Sequence, residues 1–155
     1  MKIKAVVLTL SLFAVASSAL AMDHGAMKMG GAAPKGVMIR DVKVDGYQMS
    51  YHLIDNAAEM AKSAKGMEMD HSKMEMKSHH LMLYLADPKG VAVKDATVGY
   101  LTVSPAGDKA QAMAMAMEGG YGADVELKSK GKYTVKAKAV IGQKTLIDEF
   151  SYEIK

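Results

Sequence analysis

Apolar and polar residues alternate along much of the chain from residue 37 onward, which is the period of a half-buried β-strand. Residues 37–44 and 47–54 follow this pattern on either side of Asp45-Gly46. An Asp-Gly pair accepts the two positive φ angles of a type I′ turn. The sequence therefore predicts a β-hairpin at the start of the folded domain.

From residue 79 to the end of the chain, short alternating segments are separated by turn sequences rich in Gly, Pro and Asp. We predict strands beginning at residue 79 and at 91–93, 97–103, 111–117, 121–127, 133–141 and 144–154, the last two joined by a hairpin turn at Gly142-Gln143. In the last strand, Leu146, Phe150, Tyr152 and Ile154 define a dry side. About eight strands with one dry side each predict an all-β fold, an antiparallel β-sandwich.

Two segments depart from the strand pattern. Residues 22–36 show no period and are interpreted as a flexible arm. Residues 56–78 form a Met-rich insertion, in which Ala57, Ala58, Met60, Ala61 and Ala64 predict a short helix and the remainder predicts a loose loop.

The first residues have the features of a secretory signal peptide. Lys2 and Lys4 precede the apolar residues 5–16, and residues 19–21 have the A-x-A pattern. We predict cleavage after Ala21, export to the periplasm or the medium, and no membrane association after cleavage; an uncleaved anchor is the alternative. The predicted organisation is a signal peptide at 1–21, the arm at 22–36 and the sandwich domain at 37–155.

Composition excludes several function classes. The chain has no cysteine, so thiolate is absent both as a nucleophile and as a metal ligand. A net charge of only +3, a single arginine and no tryptophan argue against nucleic-acid binding. No G-x-S-x-G, H-E-x-x-H or phosphate-binding glycine loop is present. We therefore expect the protein not to be an enzyme.

The chain contains fifteen methionines, and thioether sulfur selects monovalent copper or its mimic silver. Four methionines and three histidines lie between residues 67 and 80, and charged residues separate most of the methionines. The predicted metal ligands here are Met67, Met69, His71, Met74, Met76, His79 and His80. Packing of these methionines as adaptable hydrophobes under the loop is the alternative.

The arm carries a second candidate site at Met22-Asp23-His24. Cleavage after Ala21 would place His24 third from a free amine, which allows the square-planar site that divalent copper prefers. The tripeptide recurs at residues 69–71. A disordered start with no metal site is the alternative, because the site depends on the cleavage position.

The third candidate is Met113, Met115 and Met117, whose sulfurs would share one face of a single strand. A methionine row of this kind is typical of a sandwich core, and we favour that interpretation over a ligand set. His80 shares a face with Met82 and Tyr84, opposite the leucines, so that side can carry a ligand pair. His79 is expected at the rim, and His52 is expected to be solvated.

Residues 83–98, 117–123 and 131–135 carry the turn and core pattern LYLADPKGVAVKDATV, MEGGYGA and GKYTV. This pattern resembles the YtkA-like and FixH-like group of small extracytoplasmic domains. The resemblance covers about half of the chain and implies an immunoglobulin-like sandwich with an association with copper handling. The Met-rich insertion and the arm depart from the group, so no ligand carries over from it.

These observations predict a periplasmic copper-binding protein that sequesters the ion or delivers it, as a metallochaperone would, to a metal-export or oxidase-assembly protein. One alternative is a protein-interaction module whose methionines form an adaptable contact surface. Another makes the exposed methionines oxidant traps, since thioethers oxidise reversibly.

Overall fold

The protein is described by a computed structural model, which covers residues 34–63, 77–117 and 119–155. These residues form two antiparallel sheets and one short helix. The elements are β1 (Val37–Val44), β2 (Tyr47–Asp55), α1 (Asn56–Ser63), β3 (His79–Ala86), β4 (Thr97–Val103), β5 (Lys109–Met113), β6 (Met115–Met117), β7 (Gly120–Val125), β8 (Gly131–Ile141) and β9 (Lys144–Ile154). No helix among them is long and apolar enough to cross a membrane.

The two sheets pack face to face, and the predicted all-β sandwich is confirmed. One sheet has five strands in the order β1-β2-β3-β7-β6, and the other has four in the order β5-β4-β8-β9. The first hairpin is also confirmed, because Asp45 and Gly46 have φ angles of 50° and 84°. These angles are those of a type I′ turn.

The core lies between the inner faces of the sheets and consists mainly of aliphatic and tyrosine side chains. Leu81, Leu83 and Leu85 of β3 are buried in it, as the alternation predicts. Buried tyrosines satisfy their hydroxyls locally: Tyr121 Oη donates to the Val93 carbonyl at 2.9 Å, and Tyr100 Oη donates to the Tyr121 carbonyl at 3.0 Å. Burial raises the pKa of the Tyr100 phenol, which therefore stays neutral.

Two segments differ from the predicted strands. Residues 91–93 contribute only an isolated bridge between Ala86 and Ala92. Residues 111–117 do not form one strand, because the chain leaves β5 in one sheet and enters β6 in the other. At the crossing, the Ala114 N–H donates to the Val98 carbonyl at 2.9 Å. The sandwich is therefore connected at this edge by a strand that changes sheets.

The predicted short helix is confirmed as α1. Asn56, its first residue, donates from its backbone N–H to the Ser78 carbonyl at 3.1 Å and from Nδ2 to the Lys77 carbonyl at 2.8 Å. Ser78 Oγ in turn accepts from the Leu127 N–H at 2.7 Å. These bonds join the two ends of the insertion and fix the point at which the chain enters β3.

Candidate metal centre

The outer face of the five-stranded sheet carries the histidine and methionine donors. Because side chains alternate along β3, the burial of Leu81, Leu83 and Leu85 in the core directs His80, Met82 and Tyr84 to this outer face. Strand β7 lies beside β3 with Met82 opposite Gly122, and β6 lies beyond β7 with Met115 opposite Gly122. The register thus places donors from two strands on either side of one glycine.

Three donor atoms converge on the space above Gly122. The point where a Cβ would stand lies 2.6 Å from Met82 Sδ and 2.8 Å from Met117 Sδ, and His80 Nε2 lies closer still. Zinc bonds to protein nitrogen and sulfur measure about 2.0–2.3 Å. The Cβ point itself is one covalent bond from the Gly122 Cα, so an ion would lie farther out from the strand, where small side-chain movements would bring the three donor atoms to it.

The His80 ring is held with one nitrogen directed into the site. Nδ1 lies 2.7 Å from Oδ1 of Asp124, the cross-strand neighbour of His80 on β7. A carboxylate can only accept, so Nδ1 donates to it, and in the neutral form of the ring the lone pair lies on Nε2. Nε2 is buried and has no hydrogen-bond partner among the described residues. This carboxylate–histidine arrangement is the one that orients imidazole ligands in metal proteins.

Two thioethers and one neutral imidazole form a donor set suited to monovalent copper or silver. The part of the chain that the structure describes has no group of three or more histidine and carboxylate side chains close enough to hold a metal ion. Oxygen-preferring cations such as magnesium and calcium therefore find no comparable cluster among these residues.

Of the predicted ligands, the structure brings together His80 and Met117. Met115 lies on the same outer face, opposite Gly122, and is 69% exposed. His79 points to the opposite face, opposite Val125, with Nδ1 at 2.9 Å from Ser78 Oγ. His79 is therefore not part of the donor cluster.

The interpretation of Met113, Met115 and Met117 as core is wrong, because all three are exposed. They also do not share one strand face. Met113 ends β5 and lies over Gly99 on the outer face of the four-stranded sheet, with its Sδ 3.3 Å from the position of a Gly99 Cβ. The physical reason is the crossing at Ala114, which transfers only Met115 and Met117 to the sheet that carries His80.

The remaining predicted ligands lie outside the described residues. They are Met22 and His24 of the arm, and Met67, Met69, His71, Met74 and Met76 of the insertion. Their roles stay predictions.

Comparison with known proteins yields a likeness of fold. A copper-bound variant of FetP from uropathogenic Escherichia coli is similar at a TM-score of 0.50 and 15% identity, covering 74% of this chain and 92% of that one. The as-isolated form of FetP, expressed recombinantly in the periplasm of E. coli, gives the same score and identity, with 78% and 93% covered. The sandwich is similar in fold to FetP. No protein-family model and no curated protein matches the sequence.

At this level of identity the likeness to FetP concerns the fold, so the site rests on the residues of this chain. Two of its residues carried no sequence signal that we used: Gly122 and Asp124. A glycine within a strand marks a close approach of other groups, and that signal was available at Gly122. The pairing of Asp124 with His80 depends on the β3–β7 register, which no local pattern encodes.

The expectation that His52 is solvated is wrong. His52 is only 9% exposed, and its Nδ1 is buried with no hydrogen-bond partner among the residues that the structure describes. Its ring contacts the Tyr84 ring edge to face, with centroids 5.1 Å apart. The polar neighbours Gln48 and Ser50 misled the prediction, because Ser50 is itself buried on this outer face.

A surface groove of the described residues lies away from the donor cluster. It has a volume of about 470 Å³ and lies on the outer face of the four-stranded sheet, with Leu101, Met113, Val140 and Ile147 in its lining. Met113 is the single sulfur in that lining, and no histidine contributes to it. The chemistry therefore favours the smaller space above Gly122.

Proposed function

We propose that this protein is exported and binds monovalent copper, with silver as a mimic, above Gly122 through His80, Met82 and Met117. The observation that carries the proposal is the convergence of one imidazole nitrogen and two thioether sulfurs on the space that a missing side chain leaves. Binding leaves the copper chemically unchanged, and we propose no catalytic step.

Two further observations support a soft-metal function. The copper-bound variant of FetP has a similar fold, so a sandwich of this kind holds copper in that protein. In addition, the buried Nε2 of His80 has no hydrogen-bond partner in the part of the chain that the structure describes. A buried polar atom without a partner is costly in free energy, and a bound metal ion would remove that cost.

The Met-rich insertion is proposed to capture ions and pass them to the sheet. Met76 lies four residues before His80 in the sequence. An extended chain spans at most about 3.6 Å per residue, so its Cα stays within about 14 Å of the His80 Cα. Tethering at this distance gives the insertion a high effective concentration at the site. A carrier that sequesters copper or delivers it to an export or oxidase-assembly protein fits this arrangement.

The proposal is tested by titrating the purified protein with monovalent copper against a competing chelator. Met82→Leu and Met117→Leu remove one thioether each with little change in volume, and Met113→Leu on the other sheet is the matched control. We expect weaker binding for the first two variants and unchanged binding for the control. Equal behaviour of all three variants would contradict the site.

A second set of variants separates the insertion from the sheet. Replacing Met67, Met69, Met74 and Met76 together by leucine should lower the number of ions bound while the ion sensitive to Met82→Leu remains. If the wild-type protein binds neither copper nor silver, the proposed copper function is wrong. The methionines are then better explained as a contact surface or as oxidant traps.

A further inference from the structure

One register row crosses the whole five-stranded sheet and is made almost entirely of soft donors. Met38 on β1 pairs with His52 on β2, next to a register shift between Met38 and Arg40. His52 pairs with Met82 on β3, and Met82 pairs with Gly122 on β7, which pairs with Met115 on β6. Directly paired residues project their side chains to the same face of a sheet. The row therefore continues beyond the site above Gly122 toward the β1 edge.

The site above Gly122 does not explain why His52, a member of this row, is buried with an unpartnered nitrogen. His52 is nine-tenths buried, and within residues 34–63, 77–117 and 119–155 its Nδ1 has no hydrogen-bond partner. The edge-to-face contact with Tyr84 restrains the ring, so the nitrogen cannot simply rotate into water. A buried imidazole nitrogen without a hydrogen-bond partner calls for a cation or a donor that satisfies it.

An ion above Gly122 cannot be the partner of the His52 Nδ1. Two strand spacings, about 10 Å, separate the two backbones, and Met82 stands between them in the row. Met82 Sδ leans toward Gly122, only 2.6 Å from the position of its missing Cβ. His52 therefore needs a different partner, and its paired neighbour away from Gly122 is Met38 of β1.

We propose that His52 and Met38 form a second binding position for a monovalent soft metal ion, on the β1 side of Met82. This inference rests on the proposed function, because it extends the same ligand row. Directly opposed residues have Cβ atoms about 4.5–5.5 Å apart, so an imidazole and a thioether there can share one ion. Copper(I) and silver(I) accept both donor types.

The methionine of the second position is more exposed than the two methionines of the first. Met38 is 58% exposed and lies on the edge strand β1, whereas Met117 is 38% exposed and Met82 is almost fully buried. An ion at Met38 and His52 is therefore open to a partner or a chelator. Met82, the neighbour of both positions, is placed to pass an ion between them.

The test is a silver(I) titration of the full protein, labelled with ¹⁵N in histidine and followed by NMR of the ring nitrogens. Variants identify the signals: His52→Phe keeps an aromatic ring against Tyr84, and Met38→Leu leaves His52 itself unchanged. Met113→Leu, an exposed methionine on the other sheet, is the matched control. We expect a His52 ring nitrogen to shift during the titration in the wild type and in the control, and to shift less or only at higher silver in Met38→Leu.

The possible outcomes separate this inference from the proposed function. A shift of the His80 ring with no response from His52 would overturn the second position and leave the first intact. A His52 response that Met38→Leu does not weaken would overturn the assignment of Met38. If the ring nitrogens of neither His52 nor His80 shift, the proposed function is rejected along with this inference.

Discussion

At Gly122 the backbone has an ordinary φ, so the glycine is not required there by a left-handed conformation. Glycine is required here because the neighbouring side chains leave no space for a Cβ. A Cβ would meet His80 Nε2 and the sulfurs of Met82 and Met117, which are all far ends of side chains that can move. A methyl group at this position would therefore displace the donor atoms while leaving the strand intact.

We expect Gly122→Ala to weaken silver(I) and copper(I) binding above the sheet strongly while the protein stays folded. Competition titration measures the affinity, and circular dichroism verifies the fold. Gly99→Ala is the matched control, since Gly99 also lies on a strand with a methionine sulfur, that of Met113, above it. Equal affinities in the two variants would show that the space above Gly122 is not the binding position.

In the proposed site, Asp124 would act on a bound ion through His80, as a positioning residue. Asp124→Asn retains the size of the side chain but removes the acceptor charge that orients the His80 ring. Loss of such an orienting partner costs about 10–100-fold in metal affinity at characterised sites. Titration should show a fall in this range, with folding unchanged because Asp124 is exposed. A variant with wild-type affinity would mean that His80 needs no such orientation.

At the scale of elements, the edge strands β1 and β9 connect the two sheets through a part-buried ion pair. Arg40 donates from Nε and Nη2 to the two carboxylate oxygens of Asp148, at 2.7 and 2.8 Å. Asp148 is 8% exposed, and the Arg40 guanidinium also lies over the Phe150 ring. The hydrogen bond to Asp148 raises the pKa of Arg40 further, against the effect of its partial burial.

Arg40→Met should destabilise the protein by about 2–4 kcal/mol, because it leaves a buried carboxylate without its partner. Chemical denaturation measures the change in the free energy of unfolding. The control is Lys136→Met, which breaks an exposed pair with Glu149 between β8 and β9. An exposed pair contributes at most about 1 kcal/mol. Similar losses in both variants would contradict a special role for the edge pair.

For the whole molecule, the site and the core occupy opposite faces of the five-stranded sheet. Leu81 and Leu83 pack inside while His80 and Met82 face outward, so ligands can change without opening the core. Binding to a position that only the folded sheet creates must stabilise the fold. Binding to a loose segment, as the sequence predicts for the insertion, occurs equally in the unfolded chain and stabilises little.

Silver(I) should therefore raise the thermal stability of the protein through the sheet site. An ion at 100 times its dissociation constant contributes about 2.7 kcal/mol. Differential scanning calorimetry with and without silver measures the shift in Tm. Gly122→Ala should lose most of this shift, and the variant with leucine at Met67, Met69, Met74 and Met76 should keep it. The reverse result would place the structured site in the insertion.

Local patterns in the sequence were enough to predict the sandwich. A period of two residues identifies a strand without knowledge of its neighbours, and Asp45-Gly46 specifies its turn through φ angles alone. The same period also assigned His80 and Met82 to the face opposite Leu81. The richness in methionine suggested a soft metal, because the selectivity of thioether sulfur is a property of the atom and not of the fold.

Only the tertiary structure decided which donors meet. Whether His80 faces Asp124, and whether Gly122 lies beside Met82, depends on the pairing of β3 with β7, strands far apart in the sequence. The crossing at Ala114 separated Met113 from Met117, although both continue one alternating pattern. Register and sheet membership are set by packing over the whole molecule, so a short sequence window specifies which face a side chain takes but not which side chains lie beside it.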